Sequence, residues 1–177
     1  TGSATLTDNQ VPNGDNFVLA YSMLPVYPVY NEDGSYFTKV NKEYDQGNPV
    51  QNQDLNSRTN KMNYFYGNGD IQFLVMEGLN VKANLYKSRF NGEFSQYTDS
   101  NTSMGYKDQG FAKKQNSAWD RDLMELTADY NRTFGAADEH KVNGLIGYSW
   151  EENEYSMFHA QNRNFVNDDL QSDNLQS

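Results

Sequence analysis

The chain has no cysteine, which excludes a disulfide framework and a thiolate metal site. Basic residues are also few, since 14 Lys and Arg face 24 Asp and Glu and leave a formal net charge of -10. Proteins that bind nucleic acid neutralise its phosphates with Lys and Arg, and this composition does not supply them. The sequence therefore predicts no nucleic-acid partner.

Long apolar runs are absent as well. Only 36% of the 177 residues are hydrophobic and the mean hydropathy is -0.91, so we expect no large dry core. No run approaches the roughly 18 apolar residues of a membrane helix. The chain opens Thr1-Gly2-Ser3, without the basic segment and apolar stretch of a signal peptide. We therefore expect a chain that was processed or that begins within a longer protein.

Residues suited to catalysis are sparse. His140 and His159 are the two histidines, and neither has the partner spacing of a metal site or a catalytic triad. Glu151 and Glu152 are adjacent on a predicted strand, so their side chains point to opposite faces. Glycosidase chemistry needs two carboxyl groups about 5 to 9.5 Å apart across a sugar. The sequence therefore predicts no enzyme, no metal and no cofactor.

What the chain does contain is repeated alternation of apolar and polar residues, which indicates β-strands with two different faces. In the second such segment an apolar face alternates with a polar one, formed respectively by Leu79, Val81, Ala83 and Leu85 and by Asn80, Lys82, Asn84, Tyr86 and Ser88. The pattern predicts four long strands, at residues 60–76, 79–90, 118–134 and 140–158.

The apolar stripes are shorter than the strands that carry them. In the third strand the stripe runs from Met124 to Phe134. Asp120 and Asp122 precede it in the chain and lie on the same face. A tilted membrane strand needs about 9 to 11 such residues, whereas a soluble strand is about 5 to 6 residues long in total. Tyr148 and Trp150 lie at a stripe end, where an aromatic girdle would meet the membrane interface.

The connections alternate in length. Tight turns are predicted at residues 77–78 and 135–139, and a long polar loop at 91–117 separates the two hairpins. Outer-membrane barrels have this asymmetry, with short periplasmic turns and long outer loops. The sequence therefore predicts an all-β fold, in which residues 60–158 form long antiparallel meander strands of a transmembrane β-barrel. A soluble antiparallel sheet remains open as the alternative.

The first 59 residues follow a different pattern. Phe17, Ala20, Tyr21 and Leu24 have helical spacing, which predicts one short helix near residues 16–24. A Pro-rich extended segment should follow it at residues 25–30, because proline fixes its own φ and restricts its predecessor. The remainder of residues 1–59 reads as an extracellular loop region, and residues 159–177 read as the start of the next extracellular loop.

Binding is the chemistry that this composition favours. The 91–117 loop sets aromatic residues among Asn, Gln, Ser and Asp, which suits stacking on sugar faces or peptide side chains. The same aromatics could instead pack on one another, and the sequence leaves both readings open. Near the loop's return a tryptophan and an arginine could form a cation–π contact or a rim anchor. The candidate substrate-binding residues are Phe94, Tyr97, Tyr106, Phe111, Trp119 and Arg121.

The order of several short motifs carries a family resemblance. From about Asn16 onward, the chain shows Leu24-Pro25, a turn at 31–36, Asn48-Pro49-Val50 and the turn Glu77-Gly78-Leu79. The later part continues with a turn, strand and loop, at His140-Lys141-Val142-Asn143-Gly144-Leu145-Ile146-Gly147-Tyr148-Ser149-Trp150 and Ala160-Gln161-Asn162-Arg163-Asn164-Phe165. In this shared order the chain resembles the barrel of SusC/RagA-type TonB-dependent transporters.

The resemblance implies a segment of a protein that imports glycans or peptide-derived nutrients across the outer membrane of a Gram-negative cell, with its long loops extracellular. Such transporters place a plug inside a barrel of about 22 strands. The implied partners are a SusD-like surface lipoprotein lid, the TonB complex, outer-membrane lipid, and the glycan or peptide substrate. Plug and TonB-contact sequences are not recognisable in this chain, so we expect no transport from it alone.

The polar strand faces have two readings within this resemblance. They would line part of a channel or pack against the plug, through Lys82, Asn84, Glu125, Asp129 and Asn143. The alternative function is a soluble, secreted β-rich module that binds carbohydrate or peptide, in which the apolar faces meet a second sheet.

Overall fold

The computed structural model describes residues 2–10, 15–38, 47–136, 139–166, 171–173 and 175. Five strands form one sheet in which each strand pairs with the next along the chain, in the order β1-β2-β3-β4-β5. This order is an antiparallel meander, and within the described residues the sheet does not close on itself. The strands and helices are β1 (Gly2–Gln10), α1 (Asp15–Ser22), α2 (Pro49–Leu55), β2 (Ser57–Met76), β3 (Leu79–Thr98), β4 (Phe111–Phe134) and β5 (His140–Arg163).

The strands are longer than the apolar alternation predicts. β3 continues to Thr98 and β4 already begins at Phe111, so only residues 99–110 connect them where the sequence suggests a loop over 91–117. The predicted strands extend only a few residues past the apolar stripes. Backbone ladder hydrogen bonds do not require an apolar face, so pairing continues through residues that form no apolar stripe.

The chain start was expected to be loop, yet Gly2–Gln10 forms β1 beside β2. Its sequence mixes Thr, Asn and Asp with few apolar residues, so it shows no period of two. An added strand at a sheet edge gains its main-chain hydrogen bonds from the neighbouring strand, whatever its side chains.

α1 lies close to the predicted helix but ends at Ser22, ahead of Pro25, since the residue before a proline avoids the helical conformation. In place of the expected extended segment, a turn follows, in which the Tyr27 N–H donates to the Leu24 carbonyl at 3.1 Å. Neither α1 nor any other helix in the described ranges is long and apolar enough to cross a membrane.

α2 was not predicted, because its residues are mostly Asn, Gln and Asp. Its N-terminus is nevertheless well formed: the Asn48 side chain accepts from the N–H groups of Val50 and Gln51 at 3.0 and 3.3 Å. Pro49 occupies the first helical position, where its missing N–H has no cost. The Asn-Pro pair is thus the sequence signal that could have identified this helix.

The chain divides into two compact units. The wall unit comprises residues 1–6, 63–91 and 118–156, and the loop unit comprises residues 7–62, 92–117 and 157–177. β2 to β5 each contribute residues to both units, so the units cut across the segments that the sequence suggested.

In the wall unit, no described residue is buried. Its exposed side chains include many large apolar ones, among them Ile71, Phe73, Leu145 and Ile146, which are 56%, 60%, 78% and 72% exposed. A soluble monomer rarely exposes so much contiguous apolar surface. The unit is therefore built for an apolar environment on at least one face.

The β2–β3 turn explains one glycine of the wall unit. Gly78 has a φ of +86°, and its carbonyl accepts from the Asn131 N–H of β4 at 2.7 Å. A Cβ at this position would lie 2.4 Å from the Asn131 carbonyl oxygen. Both the backbone conformation and the close approach of β4 therefore require glycine here.

Candidate ligand-binding surface

The loop unit holds a surface carried by residues 99–110, the connection between β3 and β4. Beneath it lie buried groups that are mainly polar: Asp99 and Thr102 are 8% and 0% exposed. The Thr102 N–H and hydroxyl both donate to the Asp99 carbonyl, at 3.1 and 2.7 Å, and the Asp99 carboxylate accepts from the Asn101 N–H at 2.8 Å. These local bonds fold the connection tightly, as Asp and Thr side chains do in turns.

Gly105 lets this connection close on itself. A Cβ there would lie 2.1 Å from the Asp99 carbonyl oxygen, so any larger residue would push the backbone at residue 105 away from Asp99. The Thr102 carbonyl accepts from the N–H of Gly105 at 3.2 Å, and a short 3-10 turn follows at Tyr106–Asp108. The exposed residues of the surface therefore sit on a fixed backbone.

α2 makes hydrogen bonds both to this connection and to the segment between α1 and α2. Asn56 at its C-terminal end accepts from the Asp99 N–H at 2.8 Å, and the Gln51 amide donates to the Asn101 carbonyl at 3.0 Å. The Asn48 amide donates to the carbonyls of Val29 and Phe37 at 2.7 and 3.2 Å. One polar helix thus positions two separate loop segments through directed hydrogen bonds.

Some buried amides in this polar core lack a partner. Asn52 is 1% exposed, and neither its Oδ1 nor its Nδ2 has a hydrogen-bond partner. The same holds for Gln51 Oε1 and Asn16 Oδ1. An unpaired buried polar group costs stability, so the Asn52 side-chain amide adds no hydrogen bond within this core.

The surface contains an open pocket of about 470 Å³, lined by Ser100, Tyr106, Lys107, Gln109 and Phe165. Tyr106 is 69% exposed, so its ring face is available to a ligand. The Phe165 N–H donates to the Gln109 carbonyl at 2.9 Å, which fixes the Phe165 segment beside the connection. Two aromatic rings with a hydroxyl, an amide and an ammonium group nearby suit a polar ligand that also has an apolar face.

Of the six residues predicted from the sequence, only Tyr106 lines this pocket. Phe94 lies between two cations, with Arg58 Cζ 5.1 Å and Lys113 Nζ 6.0 Å from its ring centre. Phe111 is covered by Arg163, whose Cζ lies 5.5 Å from the ring centre. These cation–π contacts occupy ring faces that a ligand would otherwise use.

Tyr97 packs inside the loop unit. It is 1% exposed and stacks on Phe165, with ring centres 6.2 Å apart, so it supports the pocket and has no surface left for a ligand. Phe165 itself was missed as a site residue. The signal that could have found it is an aromatic residue shortly after the fourth predicted strand, in a segment rich in Asn, Asp and Gln.

Trp119 and Arg121 belong to the wall unit. Trp119 is 54% exposed, whereas Arg121 packs its Cζ 5.9 Å from the Tyr86 ring centre and pairs with Glu151 at 2.9 Å. The contacts of Arg121 in the structure are thus to other residues than the tryptophan. On the same polar face, Asn–carboxylate bonds join β3 to β4 at 3.0 Å each, in the pairs Asn80–Asp129 and Asn84–Glu125.

A small hairpin completes the loop unit's exposed surface. The rings of Tyr30 and Tyr36 lie 5.4 Å apart across a turn closed by the Gly34 N–H and the Asn31 carbonyl at 3.0 Å. The Tyr36 hydroxyl donates to the Asp54 carboxylate at 2.8 Å, which raises the pKa of the tyrosine. The hydroxyl and N–H of Ser35 donate to Asp33 and lower the pKa of that carboxyl.

The chemistry of the described residues points to binding. No group of three or more His, Asp and Glu within the described ranges is arranged to hold a metal ion. The exposed side chains around the pocket are neutral amides, hydroxyls and aromatic rings with one ammonium, and these recognise a ligand by stacking and hydrogen bonding.

Comparisons with known proteins agree on one class. No protein-family model matches the chain. It is 24% identical over 164 residues to TonB-dependent receptor P3 of Formosa agariphila, an alignment that covers 92% of this chain and 16% of the receptor. The chain therefore spans about a sixth of the length of the curated relative it matches.

Two solved structures share the fold. The RagAB peptide importer in its closed-closed state superposes with a TM-score of 0.61 at 18% identity, covering 96% of this chain and 20% of the matched one. The RagAB peptide transporter gives a TM-score of 0.54 at 17% identity, with 81% and 16% covered.

These likenesses confirm the resemblance to TonB-dependent transporters that the motif order indicated. They also confirm the fold class: the chain is an all-β antiparallel meander of long strands, consistent with part of a barrel wall. The relatives are a receptor and transporters, which fits the expectation that this chain is not an enzyme.

Proposed function

We propose that this chain is an internal segment of a TonB-dependent outer-membrane transporter that imports glycans or peptide-derived nutrients. The observation that carries the proposal is the contrast between a wall unit with exposed apolar side chains and a loop unit with a polar core. The first suits lipid and the second suits water. In this proposal β2 to β5 form part of the barrel wall, and the turn at 77–78 and the connection between β4 and β5 are periplasmic.

The loop unit is then extracellular and faces the substrate. In this proposal the outer loops come from the stretch between β1 and β2, from the β3–β4 connection and from the stretch after β5. Tyr106, with Phe165, is the proposed stacking site for a sugar ring or a peptide side chain. Phe94 and Phe111 keep their rings against cations and are proposed to act at the margin of this site. Trp119, which is exposed, and Arg121 belong to the wall unit and are proposed as separate contacts for the substrate.

The complete transporter would also need partners. A SusD-like surface lipoprotein would close over the extracellular loops, and the TonB complex would act through parts of the protein outside this segment. The structural likeness to a RagAB peptide importer supports the lid arrangement by fold only. Whether peptide or glycan is the cargo has to be decided by binding.

Substrate binding by the full-length transporter tests the proposal. Tyr106→Ala should lower substrate binding about tenfold, because a stacked ring contributes of the order of one to two kcal/mol. Tyr21→Ala is the matched control, since that tyrosine is 94% exposed in the same unit and lies outside the pocket. Calorimetric titration with peptide and oligosaccharide libraries on the purified transporter gives both numbers.

Equal substrate affinity in the Tyr106→Ala and Tyr21→Ala proteins would show that the pocket does not bind the substrate. Membrane fractionation addresses the wider proposal. A soluble native polypeptide of this chain's own size would favour the secreted binding module instead, and a much larger outer-membrane protein would support the transporter.

A further inference from the structure

The wall unit contains a second cavity, which the transport proposal does not use. It is an open groove of about 650 Å³, lined by Phe65, Gly67, Asn68, Gly69, Leu85, Tyr86, Lys87, Asp122, Leu123, Met124 and Trp150. Most of these side chains share the apolar face of the strands, because Leu85 and Met124 belong to the two apolar stripes and Trp150 ends the stripe of β5.

Two glycines create the groove. Gly67 and Gly69 occupy positions on the face of β2 that also carries Phe65, where other strand positions hold large side chains. A Cβ added at Gly69 would meet nothing within 4 Å, and one added at Gly67 would meet only the Phe65 ring, at 3.5 Å. Neither glycine is required by its backbone, since neither φ is positive. The two glycines therefore do not form a turn, and their missing side chains leave a trough on this face of the strand.

A charged row borders the groove at its polar end. Lys87 pairs with Asp122 at 2.8 Å, and Arg89 pairs with Asp120 at 2.5 Å. All four side chains continue the apolar faces of β3 and β4, two and four residues beyond the stripes. Each is between 30% and 54% exposed, and such exposed ion pairs are worth little, so their partners can change.

The groove therefore combines three kinds of surface: an apolar trough, the exposed ring of Trp150, and a row with two cations and two carboxylates. Acyl chains fit the trough. A phosphate fits Lys87 and Arg89, because the ion pair engages only Nε of a guanidinium that has five N–H donors. Sugar hydroxyls can donate hydrogen bonds to the carboxylates of Asp120 and Asp122, and a sugar ring can stack on Trp150.

From this complementarity we propose that the groove is a specific site for a phosphorylated glycolipid of the outer leaflet. The inference rests on the proposed function, since it needs this face of the strands to meet lipid. A lipid with a phosphate but no sugar would engage the two cations and leave the two carboxylates facing an anion. A glycolipid engages all four charged groups.

Native mass spectrometry of the full-length transporter in detergent tests the site, with lipid A as the probe. Gly69→Leu fills the trough and should lower the fraction of protein carrying lipid A about tenfold at a fixed lipid concentration. Gly144→Leu is the matched control. A Cβ at Gly144 also meets nothing within 4 Å, on the apolar face of β5 outside the groove. Its lipid A binding should equal that of the parent protein.

Charge variants identify the headgroup. Lys87→Gln with Arg89→Gln should remove the preference for lipid A over its dephosphorylated form. Asp120→Asn with Asp122→Asn should weaken lipid A binding but strengthen the binding of phosphatidylglycerol, an anionic lipid without a sugar ring. The opposite order, with phosphatidylglycerol bound more tightly than lipid A by the parent protein, would overturn the proposal in favour of a simple basic patch.

The outcomes separate this inference from the transport proposal. A parent protein that inserts in the outer membrane and imports substrate, but binds lipid A equally in the Gly69→Leu and Gly144→Leu forms, refutes the lipid site alone. A parent protein that does not insert in the outer membrane refutes both. Masses that show a second copy of the protein on this face, lost in Gly69→Leu, would replace the lipid by a dimer contact.

Discussion

The wall unit and the loop unit solve the problem of stability in opposite ways. Among the described residues, every buried one lies in the loop unit, and its buried set contains two apolar or aromatic residues, seven polar ones and two glycines. The wall unit buries none and exposes large aliphatic and aromatic side chains along its strands. The difference is the one that the proposed function requires, with an apolar environment around the wall and water around the loops.

The interactions that stabilise the wall unit differ accordingly from those that stabilise the loop unit. Under the proposed function, an apolar residue in the wall would gain its stability from the surrounding lipid rather than from other side chains. In the loop unit the hydrophobic contribution is small, and directed hydrogen bonds such as those of Asn48 and Asp99 take its place. Each of these contributes about 0.5 to 1.5 kcal/mol net. Substitutions that separate the two mechanisms can test the comparison.

The largest effect is expected for a charge on the apolar face of the wall. Leu126→Lys should destabilise the folded transporter in a bilayer by about 2 to 4 kcal/mol, the cost of a Lys near the membrane midplane. Thr127→Lys is the matched control, because it lies at the same height on the opposite, polar face and should cost about 1 kcal/mol or less. Denaturant titrations of the full-length protein in lipid vesicles measure both. Equal costs would show that the two faces meet the same medium.

The second effect compares one glycine from each unit. Gly78 and Gly34 have φ values of +86° and +81°, but only Gly78 lies against another backbone. Gly34→Ala should cost about 1 to 2 kcal/mol through its left-handed conformation. Gly78→Ala should cost about 3 kcal/mol, since β4 must also move away.

Hydrogen exchange measures the local cost around each of these turns in the full-length protein. If Gly78→Ala cost no more than Gly34→Ala, the contact between the β2–β3 turn and Asn131 would not contribute to the wall.

The third effect concerns the cap of α2. Asn48→Ala removes both the cap and the two bonds to the preceding loop, and should cost about 2 kcal/mol of local stability. Asn48→Asp keeps the capping oxygen and loses only the amide donors, so its cost should be intermediate. The ranking can be read from hydrogen-exchange protection of the α2 amides. An Asp variant as unstable as the Ala variant would mean that the amide donors, and not the cap, hold this helix.

A much smaller effect is expected four residues further along the same helix. Asn52→Leu replaces a buried amide whose two polar atoms lack partners, so its stability change should lie within about 1 kcal/mol of zero or be favourable. The same exchange-protection measurement applies. A loss as large as that of Asn48→Ala would show that Asn52 does make essential polar contacts.

The smallest effect is a pH dependence of the exposed 31–36 turn. The lowered pKa of Asp33 means that its ionised form favours the folded turn. That contribution is present above the ordinary pKa of 3.8 and is lost as the pH falls through the lowered folded value. Chemical shifts of Ser35 should follow this titration, and Asp33→Asn should abolish it. A Ser35 signal that titrates above 3.8 would reverse the sign.

Prediction from sequence worked best for features that a local pattern of side chains specifies. The apolar stripes of β3, β4 and β5 and the turn at Gly78 followed from a period of two and from turn chemistry. It worked least well at the strand ends beyond the stripes and at β1, where main-chain pairing proceeds without an apolar pattern. α2 was missed because composition hid a capping signal, Asn48-Pro49, that is local and readable.

The sequence leads to a candidate binding surface but does not show which aromatic residues are exposed on it. Aromatic residues in a polar loop indicate a binding surface, yet the sequence cannot show which rings are buried. Tyr97 supports the pocket, Phe94 and Phe111 lie against cations, and Phe165 joins Tyr106 from a segment 59 positions further along the chain. Such groupings depend on long-range packing, which local pattern does not specify.

The sequence by itself determined that this chain forms long two-faced strands joined by one short and one long kind of connection, because alternation and turn residues act over a few positions. Only the tertiary structure decided where pairing continues past the apolar stripes, which loop aromatics remain exposed, and that two glycines open a groove in the wall. Those features arise from contacts between residues far apart in the chain, and their energies depend on three-dimensional neighbours.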